Sequence, residues 1–198
     1  MILYLGIDPS RWKTKKNLLH YPVIKTELIA EPDWIDWPFF THLLFTSRSA
    51  VLHWKRFEEK KIIAIGTATA ALLRNYGCHP LVASESTQEG VIELLKRLDL
   101  SNAYLAWPRS ERARNILVPF LSSLAPPFRF VALDLYKTVF QRLEPVPSLE
   151  EIEEIVFTSP STVEGFLQIY GQIPQNKKIT AIGPVTQDAL LRYKRDLF

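Results

Sequence analysis

The residues with chemistry to offer fall into two sets that read almost alike. Thr46, Ser47 and Ser49 lie in LLFTSRSAV at 43–51, and Thr158, Ser159 and Ser161 in IVFTSPSTV at 155–163. A second pattern follows each, KIIAIGTATAALL at 61–73 and KKITAIGPVTQDAL at 177–190, adding Gly66, Thr67, Thr69, Gly183 and Thr186. Self-similarity on this scale indicates one supersecondary design used twice. Small and hydroxyl residues between an apolar run and an amphipathic one mark the turn from a strand into a helix. There the first helical amides lack partners and carry the positive end of the dipole, so the turn can hold an anion. The competing reading is structural, because Ser and Thr are the usual N-caps of any α/β protein. Recurrence of the turn in two separate halves favours binding.

Three further groups could act. Arg109, Arg112 and Arg114 follow the apolar stretch 104–107, where a ligand beyond a strand end would lie. A planar guanidinium suits a carboxylate because it can donate twice; a solvated face is the alternative, with Arg109 the exception because it comes before the expected helix. Tyr136 sits in a long alternating stretch, FRFVALDLYKTVF at 128–140, and its phenol could donate one hydrogen bond to a leaving oxygen or a carboxylate. Packing as a strand aromatic is the alternative there. The histidines, His20, His42, His53 and His79, show no metal-ligand spacing, and Cys78 beside His79 makes no convincing nucleophile and base. GxGxxG, Walker A and GxSxG are absent from the sequence. An enzyme built from these residues is expected to need no cofactor, no metal and no covalent nucleophile.

These side chains have to be positioned by a chain of 198 residues, 47% hydrophobic, which suffices for one domain or two small ones. A net charge of +3 favours an acidic ligand without demanding nucleic acid. The basic cluster Arg11, Lys13, Lys15 and Lys16 around Trp12 reads as a solvated helix face, with a nucleic-acid contact as the less favoured alternative. A single cysteine excludes a disulfide framework, no run approaches a membrane span, and Asp8 and Pro9 come before any signal-like stretch can develop. A cytoplasmic protein, with no membrane partner, is the expectation.

In order, strands are expected at 2–7, 23–30 (stopped by Pro32), at the start of the first copy from His42, at 62–65, 81–83 and 104–107, at the start of the second copy from Ile155, and at 179–182. A packed connection is expected over 33–40. Helices are expected over 49–59, from Thr67 or Thr69 to a C-cap near Gly77, from a Ser86/Glu89 capping box to 98, from a cap at Ser110 through Arg112 and Arg114, and over 161–170 and 186–195. Strands alternating with helices argue for parallel sheets, whose ligands bind beyond the carboxyl ends of the strands. The stretches 23–30 and 128–140 share a half-exposed alternation and bracket the first pattern, so they could pair as a ribbon. The resulting expectation is two Rossmann-like parallel-sheet domains joined by a two-stranded ribbon, with a cleft between them. One domain takes 1–22 with 141–198, the other 38–127, and the ribbon 23–37 with 128–140.

Taken together, FTSRSAV, AIGTATAALL, the STQEG turn at 86–90, LYKT at 135–138, FTSPSTV and above all AIGPVT at 181–186 resemble the uroporphyrinogen-III synthase family over nearly the whole length and in the expected order. That resemblance implies the two-domain fold just described. It also implies hydroxymethylbilane as substrate, a linear tetrapyrrole with eight carboxylates, received from hydroxymethylbilane synthase by a monomeric enzyme. The reaction implied loses the terminal hydroxyl as water, inverts the last pyrrole ring through a spiro intermediate and closes the macrocycle. Tyr136 matches the family's tyrosine and would assist departure of the hydroxyl. Thr69, Ser159 and Thr186 match hydroxyl positions lining the family cleft, and with Thr46, Ser47, Arg109 and Ser161 they form the expected substrate-binding set.

Three departures from the family pattern stand out. The first strand ends in Gly6, Ile7, Asp8, Pro9 where a Thr-Arg-Pro-like turn is usual, leaving Arg11 as the replacement for an arginine contact. Val185 stands where a second threonine is common. Phe198 falls where many relatives continue with another strand and helix, which predicts a shorter sheet with an exposed edge in that domain. The competing function is a noncatalytic two-domain clamp for an acidic small molecule, with Tyr136 as packing.

Overall fold

The structure is a computed structural model that describes residues 1–12, 14–29 and 37–195. Lys13, the Pro32 strand stop and the first part of the expected 33–40 connection lie outside the described residues. The chain divides into two compact units, one of Met1–Thr26 with Thr138–Phe198 and one of Glu27–Lys137.

The second unit carries a six-stranded sheet in the order β3-β8-β7-β4-β5-β6. Its strands are β3 (Ile24–Leu28), β4 (His42–Phe45), β5 (Lys61–Ala64), β6 (Leu81–Val82), β7 (Tyr104–Ser110) and β8 (Arg129–Phe140). β8, β7, β4, β5 and β6 run parallel to one another. The Ile29 amide donates to Leu135 O and the Gln141 amide to Val23 O, so β3 runs back along β8. The chain passes between the units within these two strands.

Two-sided burial explains the continuous apolar runs of the central strands. Leu43, Phe45, Ile62, Ala64 and Ala106 face Ala50, Val51, Ala70 and Leu73, from α1 (Arg48–His53) and α2 (Thr67–Asn75). Leu44, Ile63, Leu105 and Trp107 point the other way, onto Val91, Leu95, Leu117 and Leu121 of α3 (Gln88–Leu95) and α4 (Leu117–Ser123). Alternate residues thus serve opposite cores, as the period of a strand requires.

The first unit holds a four-stranded parallel sheet in the order β10-β9-β1-β2, made of β1 (Ile2–Tyr4), β2 (Leu18–His20), β9 (Glu154–Phe157) and β10 (Lys178–Ala181). Leu3, Leu5, Ile155 and Phe157 pack with Val163 and Phe166 of α5 (Pro160–Tyr170) and Leu190 of α6 (Pro184–Arg195). Tyr4 turns the other way, toward His20 and Trp12, with ring centroids at 5.9 and 6.0 Å.

Several expected elements need correction. The 2–7 strand ends at Tyr4, and β2 was not expected at all. Of the basic cluster, Arg11 lies in a short 3-10 helix, Ser10–Trp12, and Lys15 and Lys16 lie in a turn and not on a helix face. α1 stops at His53 because Trp54 leaves the helix for an aromatic cluster, edge-on to Trp37 at 4.8 Å, with its indole N–H on Arg56 O at 2.6 Å. α3 is capped by Thr87, whose Oγ1 accepts the Gly90 amide at 3.0 Å, and not by Ser86. Ser86 instead packs where a Cβ on Gly66 would lie, which is why residue 66 has none. β7 continues through Pro108, Arg109 and Ser110, where the strand was expected to have ended and Ser110 to cap a helix through Arg112 and Arg114; the next helix begins at Leu117.

Burial leaves a signature in pH. His42 lies on β4, 6% exposed, opposite Lys61 of β5, and burial first, then the lysine charge, holds its imidazole below the ordinary value. Burial lowers His53 as well. A histidine with a depressed folded value binds fewer protons than in the unfolded chain, so its contribution is present above the unfolded value of about 6.5 and is lost as pH falls below it. The thermal midpoint is therefore expected to drop between pH 8 and pH 5, and the His42→Gln variant should show a shallower drop.

Candidate active site

In the second unit the parallel strands deliver their carboxyl ends to one set of turns. Ser47 follows β4 in extended conformation (φ −157°) and caps α1, its Oγ accepting the Ala50 amide at 3.0 Å. Two strands away, the β7–β8 ladder is in register from Tyr104↔Arg129 to Arg109↔Asp134, then slips so that Ser110 pairs with Tyr136. That slip brings the phenol to the serines. Tyr136 Oη lies 2.9 Å from Ser47 Oγ, and the hydroxyls of Ser49 and Ser110 are near enough to influence its titration. The ring stacks on His53 at the end of α1, centroids 5.6 Å apart and planes at 24°.

Tyr136 is only 6% exposed. Burial pushes its phenol above the ordinary value, and the hydroxyls of Ser47, Ser49 and Ser110 pull part of the way back by stabilising the phenolate. The group is consequently a protonated donor at neutral pH, with hydroxyls in place to receive the charge left when the proton departs.

The other expected residues of this unit have protein partners. Thr46 Oγ1 accepts the indole N–H of Trp107 at 2.9 Å, so its hydroxyl satisfies the one polar group of a wholly buried tryptophan. Thr46→Val should lower stability in urea unfolding by about 1–3 kcal/mol, because the indole N–H is left without a partner; Thr46→Ser should recover most of the loss. Arg109 donates from Nε to Asp134 at 2.8 Å, reaches Asn115 at 3.4 Å, and lies 4.9 Å over the Trp107 ring. Its side chain is 17% exposed. Arg112 and Arg114 are exposed on the following loop, with Arg114 near Glu89 at 3.6 Å. Gln88, buried at the head of α3, braces that loop by donating to Arg114 O and accepting the Ile116 amide. Thr69 lies buried in the first turn of α2, which Gly66 opens with no side-chain cap.

In the first unit, Ser159 caps α5 in a reciprocal box with Thr162, whose Oγ1 donates to Ser159 O at 2.7 Å and accepts the Thr158 and Ser159 amides. Ser161, half-buried in the first turn, completes that end. α6 opens after Gly183, which has φ +88° and suits only a residue without a side chain. Thr186 Oγ1 donates to Ile182 O at 3.2 Å and is 2% exposed, so it fastens the turn to the helix. The β1 turn lies close by, since a Cβ on Gly6 would come within 2.5 Å of the Thr158 side chain. Asp8 there holds the Ser10 amide and hydroxyl.

The structure thus gathers Ser47 and Tyr136 within the second unit and adds Ser49, Ser110 and His53 to them. Sequence reasoning took Ser49 as a turn residue and Ser110 as a helix cap, and gave His53 no role. The Ser110↔Tyr136 pairing depends on a slip in strand register, which leaves no local signal.

The family model described as uroporphyrinogen-III synthase HemD matches residues 17–196. A putative uroporphyrinogen-III synthase of Methanothermobacter thermautotrophicus is 26% identical over 140 residues, 63% of this chain and 54% of that protein. The chain thus spans about half the length of the curated relative it matches. Among solved structures, a uroporphyrinogen-III synthetase of Helicobacter pylori superposes with a TM-score of 0.68 at 16% identity, covering 100% of this chain and 89% of that one. A mutant uroporphyrinogen III synthase of Thermus thermophilus superposes at 0.58 with 20% identity, covering 98% and 88%.

Proposed function

This chain is a member of the uroporphyrinogen-III synthase family, and on that footing we propose that it cyclises hydroxymethylbilane to uroporphyrinogen III in tetrapyrrole biosynthesis, losing water and inverting the last pyrrole ring. The family match over residues 17–196 carries the reading. It is supported by a buried, protonated phenol 2.9 Å from the Ser47 hydroxyl at a parallel-strand carboxyl end, the chemistry needed at a departing hydroxyl.

A pyrrole nitrogen can expel hydroxide from the neighbouring carbon by itself. The protein's task is then to receive that oxygen as water and to hold the chain ends so that the ring inverts before closure. Tyr136 supplies the proton. Ser47, Ser159, Ser161 and Thr69, at the heads of α1, α5 and α2, suit the substrate carboxylates, together with the amides that begin α2, which no side chain caps. Thr46, Arg109 and Thr186 already have protein partners, and their part in binding is to fix the strand ends and their turns. The residues required are side chains and amides of this chain, with no metal or cofactor in the proposed step. We take the enzyme to work in the cytoplasm as a monomer and to receive its labile substrate from hydroxymethylbilane synthase. Among the described residues no helix is long and apolar enough to cross a membrane. The family match leaves the noncatalytic clamp without support.

Genetic complementation tests the proposal. A cell lacking its own type III synthase should regain haem synthesis when supplied with this chain. Absence of rescue by well-expressed, folded protein would refute it.

A further inference from the structure

The turn that follows β10 exposes four residues in a row, Ile182, Gly183, Pro184 and Val185, and none of them has a polar side chain. Ile182 is 40% exposed and Val185 53%. Single exposed apolar residues are ordinary on a protein surface, but a contiguous run calls for a cover. The turn is also held in place. Thr186 Oγ1 donates to Ile182 O at 3.2 Å, the Gln187 amide donates to Gly183 O at 3.2 Å, and the Ile182 amide donates to Phe157 O of β9 at 2.8 Å. A Cβ on Gly183 would meet nothing within 4 Å, so the turn stands clear of its neighbours.

Its place in the sheet indicates what covers it. β10 pairs with β9, whose own turn carries Ser159 and Ser161, and β9 pairs with β1, whose turn exposes Ile7. A hydroxyl-bearing turn is thus flanked by apolar ones at the carboxyl edge of one parallel sheet, where the ligands of such sheets bind. A pyrrole ring with acidic arms has the matching pattern, an apolar face with carboxylates at its edge. We infer that the 182–185 turn takes the face of a pyrrole ring of the tetrapyrrole, while the neighbouring Ser159 turn takes a carboxylate of that ring. This rests on the synthase reading above and adds what carboxylate contacts lack. Acidic arms swing about single bonds, so donors that hold them leave the plane of the ring free; contact with the face fixes that plane, which orients the ring for reaction.

Anaerobic calorimetry with uroporphyrinogen III, the product of the proposed reaction, tests the contact without turnover. Ile182→Ala/Val185→Ala is expected to raise Kd about tenfold and to make the heat-capacity change of binding less negative, as loss of apolar burial requires. Val185→Thr keeps the shape and exchanges a methyl for a hydroxyl, and it should weaken binding about threefold. Leu191→Ala, also at an exposed position but further along α6, should leave Kd unchanged. Substitutions at such exposed positions have little effect on folding, and thermal midpoints near that of the wild type would show it. An unchanged Kd in the double alanine variant would overturn the contact. Tighter binding by Val185→Thr would overturn it as well, because the turn would then serve a carboxylate through hydrogen bonds, and so would equal weakening by Leu191→Ala. No binding by folded wild-type protein would also refute it. Wild-type protein that binds uroporphyrinogen III in the expected pattern yet forms no type III isomer would end the synthase reading and leave the contact standing. Type III formation by wild-type protein, with Kd unmoved in the double variant, would end the contact alone.

Discussion

Tyr136→Phe is expected to fold normally and to turn over about a hundredfold more slowly, the effect of losing one well-placed proton donor. The ring is retained, with its stacking on His53 and its place in the core on the α1/α2 face of the second unit. Ser47, Ser49 and Ser110 are half-exposed and can exchange the lost hydroxyl for water, so the stability loss should be about 1 kcal/mol. The remaining rate reflects the substrate's own capacity to expel hydroxide once its ends are held together. Since burial raises the Tyr136 phenol, the wild-type rate should also stay level through neutral pH and fall only at strongly alkaline pH. A variant with wild-type turnover would make Tyr136 a packing residue; one that unfolds would make the comparison one of stability, which circular dichroism distinguishes.

The largest structural effect is expected at Trp107. It is wholly buried in β7, sits among Leu105, Leu117 and Leu121 on the α3/α4 face, and donates its indole N–H to Thr46. Its ring also supports the Arg109 guanidinium that holds Asp134 of β8. Trp107→Ala removes the packing, leaves a cavity at the centre of the sheet and frees the residues flanking the Ser110↔Tyr136 pairing. A loss of about 3–5 kcal/mol is expected, a large part of the roughly 5–15 kcal/mol that holds a typical domain together. Urea unfolding followed by far-ultraviolet circular dichroism, which does not depend on the missing fluorophore, measures it. A loss below about 1 kcal/mol would contradict this placement of Trp107 in the core.

The parts of the fold legible in the sequence were those set by local chemistry. Strands buried on both faces read as unbroken apolar runs, as at Leu43, Leu44, Phe45 and at Ile62, Ile63, Ala64. The serine caps at 47 and 159 announce the helices they precede. What failed depended on neighbours distant in sequence. Pro108 was read as the end of a strand, yet β7 runs through it. The β4 ladder on β7 ends at Ala106, so beyond that point a residue lacking an N–H interrupts nothing on that side. β2 is three residues long, framed by a basic turn and Pro22, too short to show a period; only pairing with β1 makes it a strand. In the candidate site, Tyr136 was visible through its family motif, whereas Ser110 and His53 were not. The first arrives by a slip in register and the second by the early end of α1 at Trp54.

The most direct test of the synthase assignment is the isomer composition formed from freshly made hydroxymethylbilane, with products oxidised and separated beside a protein-free control. The substrate also closes unaided to the uninverted type I ring, so the ratio of isomers, rather than substrate loss, carries the answer. The account predicts enrichment of the type III isomer over the control with the wild-type protein, strongly reduced with Tyr136→Phe. Type I alone from folded wild-type protein would contradict it.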